Sequence, residues 1–368
     1  MLKWLAAILR AEWGGPGWLR LFDYLSVRTM LAALTTFVIS LIIGRLMIRW
    51  LHDRGYRDVV EDYGVIDVGN KRGTPTMGGL IIILAVLAGY LLWFDVHSKL
   101  AWAGLASLLW FGLLGLVDDL YKIRGGSGKA GLSQGVKLFL QTAFAGLFVW
   151  WMLSPLSPVP PELRTQLYIP FMKAPLLDLG LYFIPFAIFT ILAVSNSVNF
   201  ADGMDGLATV PVAIVYMVYA VVAYVIGNEI YSAYLNFDYV AGAGEFAVLA
   251  GAIIGACLGF LWYNFFPAQV FMGDTGSMAL GGLVAVMALL LKQELLFLIA
   301  GGVFVVEGAS VLIQEKIGIR WLGRRIFYRA PIHHAFQHRG VAETKVVIRF
   351  WIVAMLLGFI ALLSLKFR

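Results

Sequence analysis

Long apolar stretches dominate this chain, and each is closed by a short segment of charged, glycine or proline residues. A helix that crosses a bilayer needs about 20 predominantly apolar residues, and runs of that kind predict about ten spanning helices. They lie at residues 24–50, 77–94, 100–117, 136–153, 181–198, 207–227, 246–265, 277–291, 295–314 and 347–365. The chain therefore reads as an all-α, polytopic integral membrane protein in which residues 1–368 form one transmembrane domain. Residues 1–22 fall outside this pattern. They set Trp4, Trp13 and Trp18 among Lys3, Arg10 and Arg20, without the apolar core or small-residue cleavage site of a signal peptide, and read as an interfacial segment anchored by tryptophan.

An even number of spans puts both termini on one side and the loops after the odd-numbered spans on the other. Those loops hold five polar motifs: Lys71-Arg72-Gly73-Thr74-Pro75-Thr76-Met77-Gly78-Gly79, Val117-Asp118-Asp119, Asn199-Phe200-Ala201-Asp202-Gly203-Met204-Asp205-Gly206, Phe271-Met272-Gly273-Asp274-Thr275-Gly276-Ser277, and Pro331-Ile332-His333-His334. Of the 28 Lys and Arg residues, 18 fall on the motif side. Basic residues are retained in cytoplasmic loops. The motif face is accordingly expected to be cytoplasmic, with residues 314–346 forming a cytoplasmic loop and both termini periplasmic.

Composition supports the same class. With 61% hydrophobic residues, 14% charged residues and a mean hydropathy of +0.84, the chain cannot hide its apolar surface in one aqueous core. The single cysteine, Cys257, lies in an apolar run, which excludes a disulfide framework and a cysteine-based zinc site. The net charge of +6 is spread among loops and forms no stripe for nucleic acid.

Adjacent carboxylates at a helix end near hydrocarbon, such as Asp118 and Asp119, repel each other unless a cation or proton is present. Asp274 adds a third, and hard carboxylate oxygens without thiolates suit Mg²⁺. The plain alternative is that the pair only terminates a helix. Asn199, Asp202 and Asp205 are spaced to share one helix face if they begin a helix, although Asp202 would serve equally as an N-cap for a helix starting at Gly203. Phe271 beside Gly273 offers a platform for a base or, more simply, an interfacial anchor. Lys71, Arg72, Lys122, Lys129, Lys137 and the arginines from 320 to 329 ring the same face, as handling phosphates requires and as membrane topology alone also explains. His333 and His334 suit phosphate contacts or acid–base work. With no i, i+4 histidine pair expected on a helix, zinc is disfavoured. Glu307 reads as a structural partner buried between helices.

In order and spacing, from about residue 20 onward, residues 71–79, 117–119, 196–208 (Asn-Ser-Val-Asn-Phe-Ala-Asp-Gly-Met-Asp-Gly-Leu-Ala), 267–277 (Pro-Ala-Gln-Val-Phe-Met-Gly-Asp-Thr-Gly-Ser) and 330–334 (Ala-Pro-Ile-His-His) closely resemble the phospho-N-acetylmuramoyl-pentapeptide transferases, within the bacterial polyprenyl-phosphate N-acetylhexosamine-1-phosphate transferase superfamily. The resemblance implies transfer of phospho-MurNAc-pentapeptide from UDP-MurNAc-pentapeptide to undecaprenyl phosphate, giving lipid I and UMP with Mg²⁺. It places the chain among membrane lipids in the bacterial inner membrane, with a homodimer left open. By matching motif, Asp274 resembles the Mg²⁺ ligand and Asp118 the residue that deprotonates the lipid phosphate, with Asp119 supporting metal or phosphate. Direct attack by the lipid phosphate is preferred to a covalent aspartyl intermediate. His333 completes the implied catalytic set. Lys71, Thr76, Lys122, Asn199, Asp202, Asp205, Phe271, Gln314 and His334 match substrate-binding positions, with Phe271 stacking the uracil.

Two departures stand out. The family motif continues with a third histidine where this chain has Ala335, with His338 three residues on, and the loop after Asp119 carries Gly125-Gly126-Ser127-Gly128 with Lys129 out of register. The competing readings are a related UDP-GlcNAc transferase and a transporter. A transporter places its key polar groups near the bilayer midplane within broken helices.

Overall fold

The computed structural model describes residues 2–13, 16–57, 73–125 and 131–367, so Lys71, Arg72 and Lys129 lie outside the described residues. Helix α1 (Leu2–Trp13) and a 3-10 turn (Gly17–Asp23) lead into α2 (Leu25–Asp53), α3 (Gly79–Trp93), α4 (Lys99–Gly125) and α5 (Gln134–Leu153). Then come α6 (Phe183–Ala201), α7 (Thr209–Ile226), the short α8 (Glu229–Tyr234), α9 (Glu245–Asn264) and α10 (Gly273–Leu290). The chain ends with α11 (Leu296–Ala300), α12 (Gly302–Leu312), a π-helix (Ile313–Trp321), α13 (Ile332–His338) and α14 (Glu343–Leu363). A two-residue hairpin, β1 (Gln166–Leu167) against β2 (Leu177–Asp178), interrupts the otherwise helical fold.

Among the described residues, eight helices, namely α2, α4, α5, α6 with its preceding turn, α7, α9, α10 and α14, are long and apolar enough to cross a membrane. The expected span at 77–94 is apolar, but its helix has only 15 residues. The reason is a pairing between distant segments. Residues 75–79 spend their backbone groups on another segment: Phe271 N donates to Pro75 O at 2.9 Å, Gly78 N to Phe271 O at 2.8 Å and Gly79 N to Met272 O at 2.8 Å. The expected span at 295–314 divides at Gly301-Gly302, where Gly301 leaves helical geometry, and continues into the π-helix. Tandem glycine removes the side chains that would hold the turn. Residues 314–346, expected as a loop, contain most of that π-helix and all of α13.

Helix α10 forms the centre. Every residue from Thr275 to Leu290 is buried, among α3, α4, α6 and α7. Its first turn is approached backbone to backbone: a Cβ on Gly115 of α4 would collide with the carbonyl of Asp274, and one on Gly79 of α3 with the main chain of Gly276. Small residues are what permit such close packing between apolar helices. At the opposite end of the bundle, Arg28 of α2 pairs with Glu245 of α9 at 2.7 and 3.0 Å and donates to Trp93 O at 3.1 Å. Asp95 N donates to Glu245 Oε2 at 2.9 Å, and Lys3 of α1 pairs with Asp95 at 2.6 Å. Three helix ends are thereby fixed, so the other ends of the same helices keep their positions around the polar motifs.

Candidate active site

The carboxyl ends of α4 and α6 and the amino ends of α3 and α10 meet at one end of the bundle. Asp118 and Asp119 occupy α4 one turn before its last basic residues, and both are buried. Asp274 opens α10. Carboxylate oxygens of these three residues all lie within 4.8 Å of one another.

Each carboxylate has a different set of neighbours. Asp119 Oδ1 accepts from Asp274 N at 3.1 Å, and its Oδ2 accepts from the amide and the hydroxyl of Thr275 at 3.0 and 2.7 Å. The first amides of a helix have no partner within it. Asp119 supplies one from a neighbouring helix, so it fixes the placement of Asp274. Asp118 Oδ1 accepts from Leu132 N at 2.7 Å. Its Oδ2 lies 2.7 Å from Lys137 Nζ and 2.9 Å from Lys122 Nζ. The same two ammonium groups reach Asp274, each at 3.0 Å.

Two glycines shape this cluster. Gly273 adopts φ +73, and a Cβ there would sit 2.6 Å from Asp119 Oδ2 and 3.0 Å from Thr76 Oγ1. A Cβ on Gly131 would sit 2.7 Å from Asp118 Oδ1. The polar cradle thus depends on bare backbone. Its donors, three hard carboxylates and no thiolate, fit Mg²⁺, which takes one or two carboxylates and fills its remaining positions with water and phosphate oxygens.

The other expected residues surround this centre. Thr76 is buried beside Gly273, and Phe271 is half-exposed where the 75–79 and 271–272 segments pair. Asn199 Nδ2 donates to Ser277 Oγ at 2.9 Å, which joins the end of α6 to the first turn of α10. Asn199, Asp202 and Asp205 do not share a helix face: α6 ends at Ala201, Asp202 is its C-cap, and α7 starts only at Thr209. Asp202 is therefore no N-cap for a helix at Gly203. Asp205 is buried and accepts from Ala268 N at 3.0 Å, so its carboxylate secures the loop ahead of Phe271.

The histidine segment forms a helix, which corrects the expectation of a loop. His333 is fully buried, with Nδ1 3.2 Å from Glu307 Oε2 and its amide donating to Glu307 Oε1 at 3.2 Å. Among the described residues its Nε2 has no hydrogen-bond partner, and it faces Gly203, where any Cβ would collide with the ring. His334 Nδ1 lies 3.1 Å from Gln337 Oε1. Burial, together with the adjacent His333, holds the His334 pKa down at about 4. Because α13 is helical, His334 and His338 do form an i, i+4 pair, contrary to expectation. Gln314 is committed to the 326–327 backbone: its Oε1 accepts from Ile326 N and Phe327 N at 3.0 and 2.9 Å, and its Nε2 donates to Phe327 O at 3.2 Å.

Residues 101–292 match the model of glycosyl transferase family 4, and residues 71–83 match a phospho-N-acetylmuramoyl-pentapeptide-transferase signature. Over 350 residues the chain is 44% identical to a phospho-N-acetylmuramoyl-pentapeptide-transferase of Citrifermentans bemidjiense, covering 94% of this chain and 95% of that one. The corresponding proteins of Thermodesulfovibrio yellowstonii (44% over 353 residues, 95% of this chain and 96% of that one) and Caulobacter vibrioides (42% over 372 residues, 100% and 99%) are similar along almost their whole length. The chain belongs to the phospho-N-acetylmuramoyl-pentapeptide transferase family. As a member of that family it is a multi-pass membrane transferase of peptidoglycan synthesis, and the resemblance read from its motifs holds.

For a phospho-N-acetylmuramoyl-pentapeptide transferase, several residues that matter to this site carry no strong sequence signal. Lys137 stands out only as one of many basic residues on its side. Asn264 sits at the end of an apolar helix, yet its Oδ1 accepts from Gly206 N at 3.1 Å and Thr209 Oγ1 at 3.0 Å while its Nδ2 donates to Val270 O at 3.0 Å. It joins the 202–208 loop to the segment before Phe271. Lys122 did have a signal, since it follows Asp118 by one helical turn.

Proposed function

We propose that this chain transfers phospho-MurNAc-pentapeptide from UDP-MurNAc-pentapeptide to undecaprenyl phosphate, releasing UMP and forming lipid I at the cytoplasmic face of the bacterial inner membrane. The observation that carries the reading is the Asp118–Asp119–Asp274 cluster, within 4.8 Å, bridged by two lysines at the meeting point of the family motifs. A phosphoryl transfer between two anionic partners is catalysed mainly by positioning and charge neutralisation.

Asp274 and Asp118 would hold Mg²⁺, which when bound neutralises the diphosphate and polarises the phosphorus under attack. Asp119 keeps Asp274 in place through the first amides of α10. Asp118 takes the proton from the lipid phosphate, whose second pKa lies near 6 by analogy with other phosphate monoesters. The ionised phosphate oxygen then attacks the sugar-linked phosphorus directly, the bond to UMP breaks, and UMP leaves carrying the electron pair. Lys122 and Lys137 supply positive charge beside the transferring group. Phe271 provides the aromatic face for uracil, with Asn199, Asp202 and Thr76 around it, while His333 and His334 lie toward the sugar and diphosphate. Asp205 and Gln314 contribute by holding the loops that carry these groups.

The test supplies detergent-solubilised protein with radiolabelled UDP-MurNAc-pentapeptide and undecaprenyl phosphate, and in parallel with UDP-GlcNAc. Lipid-linked label and UMP in equal amounts from the muramoyl substrate alone support the reading. Product only from UDP-GlcNAc, or none from either with Mg²⁺ present, overturns it.

A further inference from the structure

Lys122 and Lys137 occupy the very oxygens that a metal would use. Lys122 reaches them from the last turn of α4, and Lys137 from the first turn of α5. Asp118 Oδ2 is shared by both ammonium groups at 2.9 and 2.7 Å, and Asp274 gives one oxygen to each at 3.0 Å. The remaining oxygen of Asp118 is engaged by Leu132 N at 2.7 Å. Every carboxylate oxygen on these two residues is therefore already in contact with a donor. Mg²⁺ binds carboxylate oxygens at about 2.0–2.1 Å and demands near-octahedral geometry. An ammonium nitrogen within 3.0 Å of the same oxygens stands in that space.

Charge leads to the same conclusion. Three carboxylates and two ammonium groups leave one uncompensated negative charge, and adding a divalent ion with both lysines in place would make the cluster positive. A lysine is a point charge on a flexible four-carbon stem. The side chains of Lys122 and Lys137 are 27% and 23% exposed, so each has an open route outward, whereas Asp118 is at 0%.

We propose that Lys122 and Lys137 are exchangeable counter-ions of the carboxylate cluster: an entering divalent cation displaces at least one ammonium group from Asp118 and Asp274, and the displaced lysine turns to the diphosphate of the nucleotide sugar. The second half rests on the transferase reading above. The first half concerns only lysines and metal. Metal entry and diphosphate binding are then coupled, and by linkage each strengthens the other by the same factor.

The experiment measures Mn²⁺ binding directly, by electron paramagnetic resonance of the free ion, to the full-length protein in detergent with no substrate present. The parent, Lys122→Met, Lys137→Met, Lys122→Arg and Asp274→Asn proteins are compared, with circular dichroism confirming the fold of each. Removing a competing charge at contact distance tightens Mn²⁺ binding by about fivefold or more in either Met variant, since a unit charge a few ångströms away is worth at least about 1 kcal/mol even in water. Lys122→Arg stays near the parent, and Asp274→Asn binds more weakly. In a second arm with saturating Mn²⁺, the Met variants bind UDP less tightly than the parent. Met variants whose Mn²⁺ affinity equals or falls below that of the parent overturn the exchange, as does unchanged UDP affinity for its second half. A parent protein that makes no lipid-linked product while its Met variants tighten on Mn²⁺ would sink the transferase reading and leave the exchange standing.

Discussion

Asp119 holds Thr275 twice, through its amide at 3.0 Å and its hydroxyl at 2.7 Å, although the two residues are 156 positions apart. A carboxylate that resembles a catalytic group is thus also the anchor of the helix that presents Asp274. Removing one partner of a buried hydrogen bond leaves the other unsatisfied, at about 1–3 kcal/mol. Asp119→Asn is expected to lower unfolding stability in detergent by that amount and to cut turnover steeply, because Asp274 loses its position. Thr275→Val, which loses the hydroxyl contact but keeps the amide, should cost about 0.5–1.5 kcal/mol and only part of the activity. Equal turnover for Asp119→Asn and the parent would show that Asp274 does not need this anchor.

Asp274→Asn retains the shape of the side chain and removes the charge that a hard divalent ion requires. Turnover is expected to fall by orders of magnitude in a protein that still folds, and chelation by EDTA should stop the parent enzyme until Mg²⁺ is restored. Full activity in EDTA, or Mg²⁺-dependent activity close to normal in the Asn variant, would remove Asp274 from the metal site.

Phe271 presents a half-exposed ring at a backbone junction fixed by Pro75 and Gly78. Stacking of a base on an aromatic ring is worth about 1–3 kcal/mol. Phe271→Ala should therefore raise the dissociation constant of UMP by about ten- to a hundredfold, with Phe271→Leu nearly as weak, while undecaprenyl phosphate binding is little changed. Calorimetry that finds one UMP affinity for all three proteins places the base elsewhere.

His334 stays neutral until the pH falls to about 4, because burial and the neighbouring His333 oppose its charge, whereas an exposed histidine protonates near 6.5. Between those values the unfolded chain binds a proton that the folded chain does not, so this residue makes stability rise with pH from about 4 to about 6.5 and level off above. His334→Gln should flatten that part of the stability profile measured by thermal unfolding in detergent. A profile of unchanged slope would mean that other groups set it.

Much of this protein was legible without coordinates, because bilayer crossing imposes a length and polarity rule on each segment independently. The apolar runs at 24–50, 100–117, 207–227 and 246–265 became α2, α4, α7 and α9 for that reason. The motifs around Asp118, Asn199, Phe271 and His333 also announced themselves, since charged and paired polar residues between apolar runs have few structural uses there. What the chain could not reveal was how those groups are shared. Asp119 satisfying α10, Asp205 bound to Ala268, Gln314 spent on the 326–327 backbone and His333 lodged against Glu307 all depend on contacts between distant segments. The short start of α3 and the break at Gly301 belong to the same class, because each follows from where backbone hydrogen bonds find partners in three dimensions. Periodicity and composition are local properties and survive in the sequence; the pairing of Lys122 and Lys137 with Asp118 and Asp274 is set by helix packing, and only the tertiary structure decides it.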